Sequence, residues 1–215
     1  MKKATTVEGL IEQLIDVGST AVRQGFVLAS GGNLSARLPG SDEFVVTASG
    51  TWLDRLVPED FSTMNLQGEV VAGTPADNPR PSSEWKLHQR TYRVREDTNA
   101  IVHIHPQHAV LVDALGYEIR LLTLDHAVYV RSVGRTDFHP NGSDELADTA
   151  AEQAKAHNCV ILGNHGCSAL GEDVGMAFRR AMNLEEAATA TYRALTLGDR
   201  TTTFPVSPDD AIQHA

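Results

Sequence analysis

The stretch AIVHIHP, residues 100–106, carries two histidines two positions apart in a segment that otherwise has the composition of a buried strand. Alternate residues of a strand point to the same face, so His103 and His105 share one side, with Cα atoms about 6.5 to 7 Å apart. From that separation both imidazoles can converge on a single ion. Because an unpaired buried polar group costs about 1–3 kcal/mol, the pair indicates either a metal site or hydrogen-bonded core histidines.

A third histidine has a comparable setting, because His165 follows the apolar segment CVIL within GNHG. Ligands of α/β proteins gather at strand ends. Three neutral imidazoles with one open coordination position are typical of catalytic zinc, whereas structural zinc sites have four protein ligands. We therefore predict that His103, His105 and His165 bind Zn²⁺ or another divalent transition metal. Among the remaining histidines, only His108 and His126 are candidates for a supporting role beside these ligands.

The segment PSSEWKLH, residues 81–88, adds a carboxylate. Ser82 or Ser83 is expected to cap a helix that runs to about Arg95, which places Glu84 in the first turn, where the helix dipole stabilises negative charge. Helix capping alone would explain an acidic residue at this position. Alternatively, Glu84 is the acid–base group that a metal site needs for catalysis, and the residues by themselves leave both interpretations open.

Composition restricts the class of protein. The 215 residues suit one large domain or two small ones, 41% are hydrophobic, and the formal net charge is −10. No apolar run approaches the roughly 20 residues that span a bilayer, and the start MKKATTVEGL lacks the apolar segment of a secretory signal, so we expect a cytoplasmic protein with no membrane contact. The acidic charge argues against nucleic-acid binding, which depends on clustered Lys and Arg. Cys159 and Cys167 are expected as reduced thiols, with a reactive Cys167 as the alternative.

Five helices are predicted from capping residues, apolar spacing and terminal glycines. The last of them is long, roughly 25 residues. The first begins at the capping box of Thr5 and Glu8 and ends near Gly25, and the second runs from Ser82 or Ser83 to about Arg95. The third follows the turn after His105 and ends at Gly116. The fourth begins at Ser143, and the last runs from Asp173 to Gly198.

Strands are predicted at FVVTASG, AIVHIH, YEIRLLTL and CVIL, with a glycine-rich turn at SGGNLS and a Pro/Gly-rich loop from Gly73 to Pro81. Helices and strands alternate irregularly, with short strand-to-helix steps and no GxGxxG motif. This pattern favours one α/β domain built around a mixed sheet that helices cover. A cupin, in which HxH also occurs, would need a nearly all-β chain.

The motifs SGGNLSAR, TASG, PSSEW, AIVHIHPQHA and LGNHG occur in this order and together resemble the class II aldolase/adducin family, typified by the fuculose-phosphate aldolases. The resemblance spans roughly residues 7–197. It implies a single domain over 1–215 with a short C-terminal tail from 198, in which helices flank both faces of a mixed, largely antiparallel sheet.

The resemblance also implies the chemistry. His103, His105 and His165 would bind one Zn²⁺ per subunit, and Glu84 would act as the acid–base group and coordinate the metal before substrate arrives. The implied reaction is the reversible aldol cleavage of a 2-ketose 1-phosphate, through a metal-stabilised enediolate, to dihydroxyacetone phosphate and an aldehyde.

The residues that match the family's substrate-phosphate site contribute glycine-turn amides, hydroxyls and a helix N-terminus. Such groups form an anion-binding nest without any lysine, so an acidic protein can bind a phosphate locally. They are Gly32, Asn33, Ser49, Gly50, Ser82 and Ser83.

One segment departs from the family pattern. The aldolases use a tyrosine from a neighbouring subunit as proton donor to the aldehyde oxygen, whereas this chain has LLTLDHAVYVRSVG there. We predict His126 in that role, with Asp125 and the displaced Tyr129 as alternatives.

The resemblance further implies a homotetramer with active sites at subunit interfaces. A decarboxylase or dehydratase that uses the same zinc and glutamate on a related phosphate, and a non-catalytic adducin-like interaction module, are the alternative functions.

Overall fold

In the computed structural model, which describes residues 3–71 and 79–212, a seven-stranded sheet lies between two layers of helices. Most of the predicted loop 73–81 lies outside the described residues. The strands are β1 (Asn33–Ala36), β2 (Glu43–Thr47), β3 (Phe61–Asn65), β4 (Ala100–Ile104), β5 (Val133–Thr136), β6 (Cys159–Leu162) and β7 (Gly166–Gly171). The helices are α1 (Val7–Arg23), α2 (Trp85–Val94), α3 (Gln107–Ala114), α4 (Asp144–Ala154), α5 (Val174–Thr196) and α6 (Pro208–Ile212).

The sheet has the strand order β3-β2-β1-β4-β7-β6-β5. Every neighbouring pair is antiparallel except β5 and β6, which are parallel. The structure therefore confirms a mixed, largely antiparallel sheet. Its central strand is β4, where His103 pairs with Asn33 on one side and with Ser168 on the other.

The helices flank both faces of the sheet, as predicted. Val102 belongs to the larger core cluster, which β4 shares with α1, α3 and α5. Ile101 points to the opposite face and packs with Tyr92 of α2 and Ala154 of α4. Burying an aliphatic side chain of this size contributes about 1.5–3 kcal/mol, and a one-residue slip would exchange the two faces, so packing on both sides fixes the register of β4.

The prediction of a strand at YEIRLLTL is wrong. Residues 117–122 run without strand pairing, and a π-helical turn, His126–Val130, follows them. The backbone of this segment finds partners outside the sheet: the Arg120 amide donates to Thr191 Oγ1 of α5, and the Leu121 carbonyl accepts from the Phe204 amide. Ile119 packs against the larger core. An apolar segment was correctly recognised, but its hydrogen bonds go to α5 and to the C-terminal segment.

Four strands were not predicted, namely β1, β3, β5 and β7. The most consequential is β1, because SGGNLS is a turn only in its first half. Gly32, with φ +72°, ends the turn, and Asn33 already begins a buried strand.

Most helix ends agree with the prediction. Ser143 and Asp173 cap α4 and α5 by accepting hydrogen bonds from the amides of Leu146 and Met176. The first cap is Thr6 and not Thr5, since Thr6 Oγ1 accepts from the Gly9 amide at 3.1 Å. Within the described ranges, no helix is both long and apolar enough to cross a membrane.

Candidate metal and active site

Three imidazoles and one carboxylate meet beside the end of β4. His103 Nε2 lies 3.0 Å from Glu84 Oε2 and 3.1 Å from His105 Nε2, while His165 Nε2 lies 3.5 Å from Glu84 Oε1. The structure thus brings together all the residues that the sequence suggested as metal ligands. Their ligand atoms all lie within 4.8 Å of one another: Glu84, His103, His105 and His165.

Strand β4 and its neighbour β7 set the orientation of His103. The ring is fully buried, and its Nδ1–H donates to the Cys167 carbonyl at 2.9 Å. A hydrogen bond from one ring nitrogen to a backbone carbonyl leaves the other nitrogen for a metal. Nε2 is therefore the atom that His103 presents to the cluster.

His165 reaches the cluster from the turn between β6 and β7. Asn164, with φ +55°, has a left-handed conformation, and its amide donates to Asp113 Oδ2 at 3.2 Å. Gly166, the residue after His165, has no room for a side chain: a Cβ there would lie 2.6 Å from the Ile104 carbonyl oxygen and 2.5 Å from a carbon of the His105 ring. This close approach of β7 to β4 places His165 beside His103 and His105.

Glu84 stands at the N-cap position of α2, but its carboxylate does not cap the helix. Helix α2 begins at Trp85, so the prediction that Ser82 or Ser83 caps it is wrong by one to two residues. Ser82 Oγ instead accepts from the Glu84 amide at 3.2 Å. The Glu84 carboxylate turns into the cluster, where Oε2 accepts from Asn33 Nδ2 at 2.9 Å, and Oε1 is buried with no hydrogen-bond partner among the described residues.

Burial and the neighbouring charged groups both shift the pKa values within the cluster. Burial raises the pKa of Glu84, but His103, His165 and the Asn33 amide outweigh it and hold that pKa well below its usual range. Burial lowers the pKa of His103, yet the facing Glu84 raises it above its ordinary value. Burial and the neighbouring imidazoles lower the pKa of His105 to about 3.

This donor set is suited to a divalent transition metal. Imidazole nitrogens and a carboxylate oxygen are the ligands that zinc takes in catalytic sites. Glu84 Oε1 is an additional indication, because it is buried without a hydrogen-bond partner among the described residues, which a native structure rarely allows.

A polar cleft of about 110 Å³ opens beside Glu84 and His105. All six predicted phosphate-site residues line it: Gly32, Asn33, Ser49, Gly50, Ser82 and Ser83. Two backbone hydrogen bonds hold the contributing segments side by side, from the Ser82 amide to the Thr47 carbonyl and from the Ser49 amide to the Arg80 carbonyl.

Five further residues that line this cleft were not predicted as site residues: Ser30, Gly31, Ala48, Thr51 and Asn141. The loop that carries Asn141 lies against the segment that precedes α2, since a Cβ at Gly142 would come within 2.6 Å of the Ser83 carbonyl oxygen. The local sequence PNGS signals only a turn, so nothing in it could have placed Asn141 at the cleft.

The structure does not bring His126 to the cleft of its own chain. The ring is fully buried, its Nδ1 accepts from the Leu122 and Thr123 amides, and its Nε2 faces Glu186. Of the two alternatives, Asp125 is exposed and Tyr129 is half-buried. Their catalytic role stays a prediction.

The other secondary candidates have structural partners. Glu185 accepts hydrogen bonds from the amides of His108 and Ala109 and from the His108 ring, so its carboxylate caps the start of α3.

Cys159 and Cys167 are free and buried. Burial raises the pKa of Cys159 to about 12 and that of Cys167 well above its ordinary value, which argues against a reactive thiolate.

Comparisons with known proteins agree with this geometry. The family model described as Class II Aldolase and Adducin N-terminal domain matches residues 12–192. An L-fuculose phosphate aldolase of Methanocaldococcus jannaschii is 33% identical over 180 residues, which cover 84% of this chain and 94% of that protein. A 3-oxo-tetronate 4-phosphate decarboxylase of Haemophilus influenzae is 28% identical, with coverages of 82% and 84%. A solved L-fuculose 1-phosphate aldolase superposes with a TM-score of 0.87 at 26% identity, over 99% of this chain and 97% of that one.

Proposed function

The chain belongs to the class II aldolase and adducin family, and on that basis we propose that it is a zinc-dependent lyase that reversibly cleaves a short phosphorylated ketose to dihydroxyacetone phosphate and an aldehyde. The observation that carries this proposal is the cluster of three imidazoles around the Glu84 carboxylate, whose Oε1 has no hydrogen-bond partner among the described residues, next to a polar cleft. We further propose a single domain over residues 1–215, in the cytoplasm, whose partner is a small phosphorylated molecule and not a nucleic acid or a membrane.

The three histidines would hold one Zn²⁺ per subunit, or another divalent transition metal, together with Glu84 before substrate binds. When bound, the metal supplies Lewis-acid stabilisation of negative charge on the substrate oxygens. The donor set supports this assignment, because each of its four members offers one ligand atom to the same small volume.

The cleft would bind the substrate phosphate. Ser49 and Ser83 are exposed at its wall, and Gly32 and Gly50 have positive φ angles that turn the backbone there. Asn33 uses one amide hydrogen for Glu84, so its second is left for an anion. Anchoring the phosphate would fix the reacting carbon next to Glu84, and such orientation can supply a large part of the rate enhancement.

Glu84 would transfer the proton at carbon. In the cleavage direction it delivers a proton to the carbon that the aldehyde leaves, and in condensation it removes that proton. General acid–base catalysis of this kind contributes about 10²–10⁴-fold. A second group, His126 or else Asp125 or Tyr129 of a neighbouring subunit, would exchange the proton of the aldehyde oxygen.

The first test is an assay of the purified protein for bound metal and for substrate. We expect about one zinc per chain by elemental analysis, and cleavage of L-fuculose 1-phosphate or another member of a ketose 1-phosphate panel, followed as dihydroxyacetone phosphate. Chelation should abolish the activity and added Zn²⁺ should restore it.

The same assay tests the alternatives. The Haemophilus relative favours a decarboxylase as the second candidate, and release of CO₂ from 3-oxo-tetronate 4-phosphate without aldol cleavage would establish that reaction instead. A folded protein with its histidines intact that binds no metal would favour the adducin-like interaction module.

We also expect a homotetramer, with each active site completed at a subunit interface by the segment 121–134 of a neighbour. Asp125 is exposed and Tyr129 half-buried in this segment, so these side chains are accessible to a neighbouring subunit, whereas the His126 ring is fully buried in its own chain. Light scattering coupled to gel filtration measures the assembly. A fully active monomer would contradict this expectation.

A further inference from the structure

A buried chain of hydrogen bonds leads away from the Glu84 carboxylate into the space between β1 and α2. Asn33 Nδ2 lies 2.9 Å from Glu84 Oε2, and Asn33 Oδ1 lies 2.5 Å from His88 Nε2. Ser35 Oγ lies 2.7 Å from His88 Nδ1 and 2.7 Å from the Tyr92 hydroxyl. Each of these side chains is at most 5% exposed, and we call the five of them the buried polar chain: Glu84, Asn33, His88, Ser35 and Tyr92.

The chemistry of the groups fixes the direction of every hydrogen bond. An ionised carboxylate only accepts, so Asn33 must present its amide nitrogen to Glu84 and its oxygen to His88. His88 must then carry its proton on Nε2, which makes Nδ1 an acceptor. The Ser35 hydroxyl donates to Nδ1 and accepts from Tyr92. In each hydrogen bond the group nearer to Tyr92 therefore donates to the group nearer to Glu84.

The Glu84 carboxylate requires the Asn33 amide nitrogen, and His88 holds the amide in that orientation from its other end. The two ends of a carboxamide have nearly the same shape, so packing alone distinguishes them poorly. In the reversed orientation the Asn33 oxygen would face the Glu84 carboxylate, and the Asn33 nitrogen would face an Nε2 that already carries a proton. With the proton on His88 Nε2, both contacts would leave buried polar groups unpaired, which disfavours the reversed orientation. Burial lowers the pKa of His88 to about 3, so the ring is neutral at physiological pH, with one donor and one acceptor nitrogen.

We propose that His88 is a positioning residue for the reaction: its Nε2–H holds the Asn33 amide so that Asn33 fixes Glu84 Oε2 and leaves Glu84 Oε1 as the oxygen that exchanges a proton with substrate. This inference rests on the proposed function for its effect on turnover. The hydrogen-bond directions do not depend on that function and can be tested separately.

The kinetic test compares two variants of the same side chain. Leucine at position 88 fills the buried space but cannot donate, whereas the glutamine side chain can donate to Asn33 Oδ1. We expect His88→Leu to lower kcat by about 10- to 100-fold, the scale on which small misplacements of a catalytic group act, with bound zinc and KM little changed. His88→Gln should restore most of the lost kcat. The substrate is the ketose phosphate that the wild type cleaves fastest in the panel above.

The matched control is Gln89→Leu. Gln89 is the next residue of α2, is likewise buried, and donates to the Leu66 carbonyl, away from the cleft. The substitution Gln89→Leu removes a buried polar contact of similar size, so we expect a lower free energy of unfolding with wild-type kcat. Equal kcat losses in His88→Leu and Gln89→Leu would assign the effect to general destabilisation and overturn the proposal. A raised KM with unchanged kcat in His88→Leu would also overturn it, because Asn33 would then act on the phosphate alone.

A second measurement requires neither turnover nor a stable leucine variant. Proton–nitrogen correlation spectra of the zinc-loaded, ¹⁵N-labelled wild type report which ring nitrogen of each histidine carries the proton, and the signal lost in His88→Gln assigns His88. We expect the Nε2–H form. The Nδ1–H form would reverse the deduced directions and refute the proposal. If no panel substrate is cleaved, the proposed function fails, while this spectrum still decides the role of His88 in orienting Asn33.

Discussion

Glu84→Gln should lower kcat by about 10²-fold or more while the protein keeps its metal. A carboxamide cannot take up or deliver the proton, although its oxygen can still accept the hydrogen bond that Asn33 donates to Oε2 in the wild type. The three histidines remain to hold the ion. Steady-state turnover and zinc content, measured on the same preparation, test both halves of the prediction.

A matched control for this change is Glu145→Gln. Glu145 lies in the first turn of α4 and is exposed, so it repeats the chemical substitution at a helix start without touching the cluster. It should leave kcat and zinc content unchanged. Turnover near the wild-type value in Glu84→Gln would remove Glu84 from the mechanism, and loss of zinc in that variant would mean that its carboxylate is an indispensable ligand.

The second large effect concerns the metal. His103→Ala should lose most of the bound zinc and, with it, almost all turnover, because His103 is the most deeply buried ligand and contacts both Glu84 and His105. The substitution also leaves the Cys167 carbonyl without the donor it has in the wild type. We expect this to cost about 1–3 kcal/mol of stability without preventing folding, since both sheet faces keep their aliphatic packing.

Elemental analysis and thermal unfolding followed by circular dichroism measure the two consequences. His139→Ala serves as the control, because His139 lies outside the metal cluster, and it should keep zinc and melting temperature. A His103→Ala chain that does not fold would show that the ion is structural, contrary to the catalytic site proposed here.

Much of the site could be predicted because its signals are local. The period of two along β4 places His103 and His105 on one face whatever the neighbouring strands do, and an apolar run before GNHG indicates a strand end. The six residues proposed for phosphate binding were chosen from motifs whose order and spacing match a family, and all six line one cleft. Long helices could be delimited because caps such as Ser143 and Asp173 act within one turn.

The remaining features depend on residues far apart in the chain. The segment 117–122 is apolar like a strand, but whether it pairs depends on α5 and the C-terminal segment. The lowered pKa of Glu84 reflects imidazoles supplied from β4 and from the β6–β7 turn. His88 looks like an ordinary helix residue until β1 places Asn33 and Ser35 against it. No local pattern could have revealed that contact.

The ligands are complete only after β7 has paired with β4, because Gly166 must lie against Ile104 before His165 can meet the other imidazoles. A chain still on the ribosome therefore cannot assemble the full ligand set until residue 171, the end of β7, has left the exit tunnel. Metal acquisition would then follow synthesis of nearly the whole sheet, and truncated chains would carry two histidines and a carboxylate but no competent centre.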